Sequence, residues 1–338
     1  MNASTFWTRP ALCLALACAL FGPAHAAPPK SPKSPVTVWL RMRDGRTFEG
    51  TLNIKSLPLV VDGKRRDIPL TDLLSLNTGS PASDTEGHTI ADDLALFAGG
   101  NHVAIEQAVE ELEGIGLPVL TPLLKTYKDT DLHEPNPLYH LYGRLIDGYA
   151  DSLDRSLDLV RLANGEDLRG KLQLEAVKIT DETAGVQTIA GTEIRSLAVR
   201  RPEIAKVFDV QALRNCTPIA FLDTGISLSA NSSLEESTKG FVRLSFDIDG
   251  WASDSDGIRK PGPNYTTNLV EGFPFGALVG RVGAAGSRWF AGHHVEKTNP
   301  GKGRLYFAVN DNGHWQNNVG SFRVTLHVTE AYDLGDPR

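Results

Sequence analysis

The chain has 338 residues, of which 41% are hydrophobic, and a formal net charge of −7 at pH 7. This composition excludes an intrinsically disordered chain, because such chains contain too few apolar residues to form a core. The acidic balance argues against nucleic acid or an anionic membrane surface as the main partner. The length suits two or three domains.

The N-terminal segment has the pattern of a secretory signal. Residues 1–26 contain Arg9 as their one charged residue and an apolar run over residues 11–21, and they end in Ala24-His25-Ala26, the small-x-small pattern that signal peptidase accepts. We therefore predict cleavage before Ala27 and a secreted or periplasmic location. A membrane-spanning helix needs about 20 apolar residues. This run is shorter and no later segment qualifies, so we expect no membrane span.

The use of cysteine excludes a small protein held together by disulfides. Cys13 and Cys18 lie in the predicted signal, which leaves Cys216 as the one thiol of the mature chain. A secreted chain with one thiol forms no internal disulfide, so its stability must come from packed cores or a bound ion. Residues 27–35 (APPKSPKSP) are predicted to be a Pro-rich linker.

An internal repeat follows the linker, over residues 36–80 and 158–200. The first copy contains VWLRMRDGRTFEGTL and IPLTDLLSL, and the second contains LVRLANGEDLRGKL and IAGTEIRSL. Alternating apolar residues around Asp44-Gly45 and Asn164-Gly165 predict hairpins with two-residue turns. Each copy is interpreted as a small SH3-like or Sm-like half-barrel, and neither is large enough to be stable alone. Small barrels of this shape can bind RNA, but the acidic, secreted chain favours a structural or protein-contact role.

Residues 87–157, between the two copies, show helical periodicity. In HVAIEQAVEELEGIGLPVLTPLLKTY, the apolar residues at helical spacing are Val103, Ala104, Ala108, Leu112 and Ile115. Gly114 and Gly116 are expected to end this helix, and Pro118 to lie near the start of the next. The pair resembles one HEAT-type hairpin, which is too little to establish a solenoid.

Residues 210–330 have an all-β character. Alternating runs such as FVRLSFDI, FGALVGRV, GRLYFAVN and SFRVTLHV are separated by turns rich in Gly, Asn and Asp. Short strands at this spacing predict an antiparallel β-sandwich. The whole chain is therefore predicted to be a multidomain α+β protein, with two small β-barrel repeats flanking a helical insert and a C-terminal sandwich.

The stretch from Asn310 to Phe322 carries the strongest chemical signal. Asp311, followed by the adjacent amides Asn317 and Asn318, offers several hard oxygen donors in one loop. Calcium prefers six to eight oxygen ligands and tolerates irregular geometry. A single carboxylate leaves a net positive ion, which can recruit vicinal sugar hydroxyls. Asn-Asp-Gly clusters are more often plain turns.

The order of segments resembles the PA-IL family of bacterial calcium-dependent galactophilic lectins. The resembling segments are DTGISL (223–228), DGWASD (249–254), PFGALVGRVG (274–283), RLYFAVND (304–311) and NNVGSF (317–322). The resemblance implies calcium binding by Asp311, Asn317 and Asn318. It also implies two backbone carbonyl ligands, one at Asp254 and one within the loop, at His314 or Trp315.

The resemblance further implies sugar contacts by this loop, which we assign to Asp311, Asn312 and Asn317. Family members also grip the sugar with a His and a Gln, but the matching positions here lie near Pro263 and Thr266 and contain no such pair. The loop is also one residue shorter. Galactose specificity is therefore not expected, and we expect stacking on the sugar by Tyr265 or Trp315 instead.

Two other patterns point to different chemistry. Phe221-Leu222-Asp223-Thr224-Gly225 matches the signature of aspartic peptidases, in which two Asp residues share a proton. The chain has one such motif, so a peptidase would have to be a retropepsin-like homodimer. His293, His294 and Glu296 could ligate a transition metal, but the sequence offers no convincing fourth ligand.

The sequence thus favours a secreted or periplasmic, non-enzymatic protein that binds calcium and, through it, a carbohydrate such as a cell-surface glycan. The alternative is a structural or protein-interaction module of the cell envelope, whose lectin-like fold has lost its sugar. In either case the N-terminal repeat and the helical insert would hold the sandwich or dock it to another envelope protein.

Overall fold

The computed structural model describes residues 35–79, 81–99, 101–126, 137–147, 156–181, 183–217, 220–245, 251–258, 269–311 and 317–335. The predicted signal and most of the linker lie outside these residues. The described chain is mostly antiparallel β-sheet, with 51% of residues in strands and 19% in helices. None of its helices is long and apolar enough to cross a membrane.

Ten strands of the described chain belong to the repeat region. They are β1 (Thr37–Met42), β2 (Thr47–Leu52), β3 (Ser56–Val61), β4 (Lys64–Pro69), β5 (Leu73–Asn77), β6 (Asp158–Leu162), β7 (Asp167–Leu172), β8 (Ala176–Asp181), β9 (Gly185–Ala190) and β10 (Ile194–Gln211). Antiparallel pairing gives the order β9-β8-β2-β1-β10-β5-β6-β7-β3-β4. The predicted strands of both copies are present, but they do not form two separate barrels.

The two copies exchange hairpins. The β3–β4 hairpin of the first copy pairs with β7 of the second, and the β8–β9 hairpin of the second pairs with β2 of the first. Equivalent residues occupy equivalent pairs: Leu40 lies opposite Leu197, and Val160 lies opposite Leu76. Both copies contribute to one apolar core. A sheet of about 40 residues is too small to bury its own apolar face. The hairpin received from the other copy helps to bury it.

The exchange explains two glycines that the repeat shares. A Cβ added to Gly50 would clash with the carbonyl oxygen of Thr180, and one added to Gly170 would clash with that of Val60. At each glycine, therefore, the backbone of one copy closely approaches the backbone of the other copy.

We expect Gly50→Ala to lower the free energy of unfolding by about 1–3 kcal/mol, because the added methyl group forces the two backbones apart. Chemical denaturation of the purified protein would measure this change. Gly87 is a matched control, because it lies in a helix and a Cβ there would meet no atom within 4 Å. Gly87→Ala is expected to leave stability unchanged or raise it by up to about 1 kcal/mol. Equal effects of the two substitutions on the free energy of unfolding would contradict the close approach of the two backbones at Gly50.

The hairpin turns differ from the predicted two-residue type. Gly45 and Gly165 have φ of 86° and 85°, but Asp44 and Asn164 are not in the positive-φ region. The Gly45 N–H donates to the Met42 carbonyl, and the Met42 N–H donates to the Arg46 carbonyl. Each connection is therefore a three-residue loop that ends in a left-handed glycine. The Asp44 and Asn164 side chains instead accept a hydrogen bond from the backbone two residues later.

The helical insert contains α1 (Asp84–Leu96), α2 (His102–Ile115), a 3₁₀ turn (Leu117–Val119), α3 (Leu120–Thr126) and α4 (Pro137–Asp147). Ser83 and Glu86 form a capping box at the start of α1. Gly116, with φ of 79°, caps α2 at the predicted position. The buried face of α2 is wider than the predicted stripe: it includes Ile105 and Val109, whereas Val103 is exposed.

The C-terminal strands are β11 (Leu222–Arg243), β12 (Ala252–Ser253), β13 (Leu278–Val282), β14 (Arg288–Phe290), β15 (His294–Thr298), β16 (Gly303–Val309) and β17 (Val319–Asp333). One set pairs in the order β10-β17-β11-β15, and a second pairs in the order β11-β16-β13-β14. A single apolar cluster includes residues from both sets. The arrangement is consistent with the predicted sandwich.

No linker separates the repeat region from the sandwich. β10 pairs with β1 and β5 over its first residues and with β17 from Arg200 to Gln211. The strand runs through residues 201–209, the interval between the two predicted domains. Because a continuous strand is stiff, the repeat core and the sandwich are held in one body.

Helix α2 joins the insert to the sandwich through buried charges. The Glu106 carboxylate pairs with Arg281 of β13 and with Arg288 of β14, and both Glu106 and Arg281 are 4% exposed. One turn further along α2, the Glu110 carboxylate accepts a hydrogen bond from the Ala284 N–H at 2.7 Å. Glu113 pairs with Arg304 of β16. One face of α2 therefore meets the sandwich through three glutamates.

Candidate calcium and carbohydrate site

The predicted ligands lie at the ends of two strands. Asp311 follows β16 after one residue, and Asn317 and Asn318 directly precede β17. Asp311 and Asn318 are each 2% exposed, so their polar groups are removed from solvent. The Asn318 Nδ2 donates to the Asp311 Oδ2 at 2.6 Å, and Asn317 is the preceding residue in the chain.

Two amide oxygens at this site lack a hydrogen bond. The Oδ1 atoms of Asn317 and Asn318 are buried and accept no hydrogen bond from the described residues. A buried acceptor without a partner costs about 1–3 kcal/mol. The orientation of the Asn318 amide is fixed, because its Nδ2 also faces the Ala212 carbonyl at 3.1 Å, which can only accept. The two amide oxygens and the Asp311 carboxylate are acceptors of the kind that calcium prefers.

Asn310 supports the site, although the sequence did not identify it as functional. It is 0% exposed, its Oδ1 accepts a hydrogen bond from the Val270 N–H, and its Nδ2 donates to the carbonyls of Phe273 and Pro274. The Leu269 N–H also donates to the Asp311 carbonyl at 2.7 Å. The segment that leads into β13 is thus fastened to the ligand-bearing loop. The sequence feature that could have identified Asn310 is its position directly before the predicted ligand Asp311.

Cys216 lies against the same site. Its side chain is 1% exposed, and the Asn318 Nδ2 lies 3.7 Å from its sulfur. Burial, together with the nearby Asp311 charge, raises the pKa of the thiol far above its usual value. The thiol is therefore neutral at physiological pH, and it packs beneath the predicted ligands as a small apolar group with a weak acceptor.

The roles of the other predicted site residues stay predictions. Asp254 is exposed, and its carbonyl accepts hydrogen bonds from the Ser253 Oγ at 2.7 Å and from the Gly257 N–H at 3.1 Å. Its role as a calcium ligand stays a prediction. The predicted residues that lie outside the described chain are Tyr265, Asn312, His314 and Trp315.

Asp223, from the peptidase-like motif, lies in a different place. It lines a cavity of about 200 Å³ where β1, α2 and the start of β11 meet. Its carboxylate pairs with Arg304 and accepts a hydrogen bond from the Gly225 N–H. Burial alone would raise the pKa of Asp223, but Arg304 and Arg144 outweigh it and hold the pKa below its usual value. An ionised carboxylate paired with arginine does not share a proton with a second carboxylate, so this geometry disfavours an aspartic peptidase.

Comparisons with known proteins find likenesses among solved structures. No family model matches the chain, and no curated protein matches it. Among the solved structures that resemble it is one described as "EclA N-terminal domain; PllA-like lectin". The two are 18% identical, the match covers 38% of this chain and 98% of the other, and the TM-score is 0.29. At this identity and TM-score, the likeness does not assign a function to the chain.

Proposed function

We propose that the sandwich is a calcium-dependent carbohydrate-binding module without catalytic activity, in a secreted or periplasmic protein. The observation that supports this proposal most directly is that the buried amide oxygens of Asn317 and Asn318 accept no hydrogen bond from the described residues, while the Asn318 amide contacts the Asp311 carboxylate. A bound cation would satisfy both oxygens. The Asp311 carboxylate, which is 2% exposed, would supply a further oxygen ligand.

Calcium suits this donor set better than a softer metal. The three side chains supply only oxygen, and calcium takes six to eight oxygens at about 2.3–2.6 Å. The remaining ligands would be carbonyls, water and, in the complex, two sugar hydroxyls. The hydrogen bond from Asn318 would fix the orientation of the Asp311 carboxylate, as hydrogen bonds to the ligands do at other metal sites.

Calcium is expected to stabilise the wild-type protein, by about 2.7 kcal/mol when its concentration is 100 times the dissociation constant. Asp311→Asn keeps the shape of the side chain and removes its charge, so it is expected to abolish this stabilisation. Calorimetric titration and thermal unfolding with and without chelator would measure both quantities. Asp209→Asn is the matched control, since Asp209 is an exposed carboxylate on β10 of the same sandwich and should leave the calcium response intact. If the wild-type protein neither binds calcium in the titration nor is stabilised by it, the proposal is wrong.

Carbohydrate binding requires its own test. Glycan arrays probed with the wild-type protein should give signals that chelator and Asp311→Asn both remove. Calcium binding without any glycan signal would instead favour the structural or protein-interaction module. In that case the ion would serve to stabilise a sandwich that has no disulfide.

A further inference from the structure

The solvent-facing side of the β15-β11-β17 sheet carries a second group of metal-ligating side chains. Glu296 of β15 lies opposite Glu235 of β11, and Glu235 lies opposite His327 of β17. His294 precedes Glu296 by two residues, so it points to the same face of the sheet. All four side chains are exposed. Three neighbouring strands thus place two imidazoles and two carboxylates in one small area.

The distances within this group fit a single ion. One donor atom each from Glu235, His294 and Glu296 lies within 4.8 Å of the others, and the His294 Nε2 lies 3.4 Å from the Glu296 Oε1. Directly opposed residues of an antiparallel pair have Cβ atoms about 4.5–5.5 Å apart. His327 is such a partner of Glu235, so it is the neighbouring imidazole that could complete the group of three.

The charge pattern of this face gives a second, independent reason to expect a cation. Glu235 and Glu296 are directly opposed, and like charges in that arrangement destabilise a sheet. The flanking pairs on this face contain uncharged residues in place of lysine or arginine. These are Ser233 with Thr298, Ser233 with Thr329, and Ser237 with Thr325. The cationic pair of this face, Lys239 with Arg323, lies one pair beyond Ser237 and Thr325, so the cross-strand neighbours of the carboxylate pair among the described residues are imidazoles and hydroxyl groups.

We infer that His294, Glu296, Glu235 and His327 form a surface site for a divalent transition metal of the zinc type. Two imidazole nitrogens and two carboxylate oxygens are a common tetrahedral donor set for zinc, whereas calcium prefers oxygen alone. The site is therefore distinct in chemistry and in position from the one at Asp311. His293, which the sequence grouped with His294, is not part of it, because its ring contacts Asp256 at 2.8 Å.

Calorimetric titration of the full chain, without a histidine tag and after chelator treatment, should show one zinc ion bound per chain. The titration is carried out in excess calcium, so that the site at Asp311 does not contribute. Loss of an outer-shell partner alone costs about 10–100-fold in metal affinity, so His294→Ala and His327→Ala are each expected to weaken zinc binding by at least about tenfold. His293→Ala is the matched control and should bind as the wild type does.

Cobalt provides a second readout, since a tetrahedral cobalt complex absorbs strongly in the visible range. This absorption should appear in the wild type and in His293→Ala and be lost in His294→Ala. Because the altered side chains are exposed, thermal unfolding in chelator should show that every variant is folded. The inference is overturned if the wild-type protein binds no zinc, or if either His294→Ala or His327→Ala binds zinc as tightly as the wild type.

Discussion

Replacing Glu106 with glutamine is expected to lower the free energy of unfolding by about 3–5 kcal/mol, because it leaves a buried arginine without its countercharge. Arg281 is 4% exposed and also donates to the Ala284 carbonyl at 3.0 Å, while its guanidinium lies 4.1 Å from the centre of the Phe221 ring. It is therefore held in place by packing and cannot reach solvent. Denaturant unfolding of wild type and Glu106→Gln would measure the loss.

A double-mutant cycle would show that the loss comes from this pair. Arg281→Met removes the other charge and keeps the length of the side chain, so the double variant should be less destabilised than the two single effects added together. Asp209 and Arg323 form an exposed pair at 3.6 Å and serve as the control, with an expected change of about 0–1 kcal/mol. Additive effects at Glu106 and Arg281 would contradict the predicted coupling.

The charges on α2 show why part of the fold could not be read from the sequence. Glu106, Glu110 and Glu113 follow one helix face, and a row of glutamates normally indicates a face in solvent. Their partners in the sandwich, which are Arg281, Ala284, Arg288 and Arg304, are more than 170 positions away in the chain. No local pattern connects the two groups, so the sequence predicted the helix but not the surface that it contacts.

The pairing of strands between the two copies of the repeat was likewise not predictable from the sequence. The shared Gly50 and Gly170 indicated two copies of one strand pattern, and the strands of both stretches are present in the structure. β3 and β8 carry equivalent patterns, so each could pair within its own copy or with the other copy. The carbonyls that approach Gly50 and Gly170 reveal the exchange only in three dimensions.

At the candidate site, the sequence identified the residues whose chemistry is local. Asp311, Asn317 and Asn318 are close in the chain, and their oxygen donors could be recognised directly. Cys216 and Ala212, which contact Asn318, come from about 100 residues earlier. These contacts depend on how β10 and β17 pair, and no spacing rule predicts them.

Glutamine at position 236 is expected to make the protein less sensitive to alkaline pH. Glu236 of β11 is 0% exposed, its Oε1 accepts a hydrogen bond from the Thr238 hydroxyl, and its Oε2 has no partner among the described residues. Burial raises the pKa of Glu236 from 4.5 to about 7, although the Thr238 hydroxyl, His294 and His293 favour the charged form. The folded protein thus retains a proton that the unfolded chain has already released.

The raised pKa sets the sign of the effect. Below pH 4.5 both states are protonated and the contribution of Glu236 to stability is fully present; it is lost as the pH rises through about 7. A shift of this size corresponds to about 3 kcal/mol. Glu236→Gln resembles the protonated side chain, so the variant should match the wild type near pH 4.5 and exceed its free energy of unfolding by about 3 kcal/mol at about pH 8.

Denaturant unfolding across this pH range would test the difference, since titrations common to both proteins cancel when the variant is compared with the wild type at each pH. Glu203→Gln, at an exposed position on β10, provides the control and should leave the pH profile parallel to that of the wild type. A constant difference between Glu236→Gln and the wild type would mean that folding leaves the pKa of the carboxyl unchanged, so that Glu236 is ionised in the folded protein at neutral pH. Its buried charge would then need a cationic partner. A difference that grows between pH 4.5 and about 7 would instead show that the sandwich core holds Glu236 as a neutral acid.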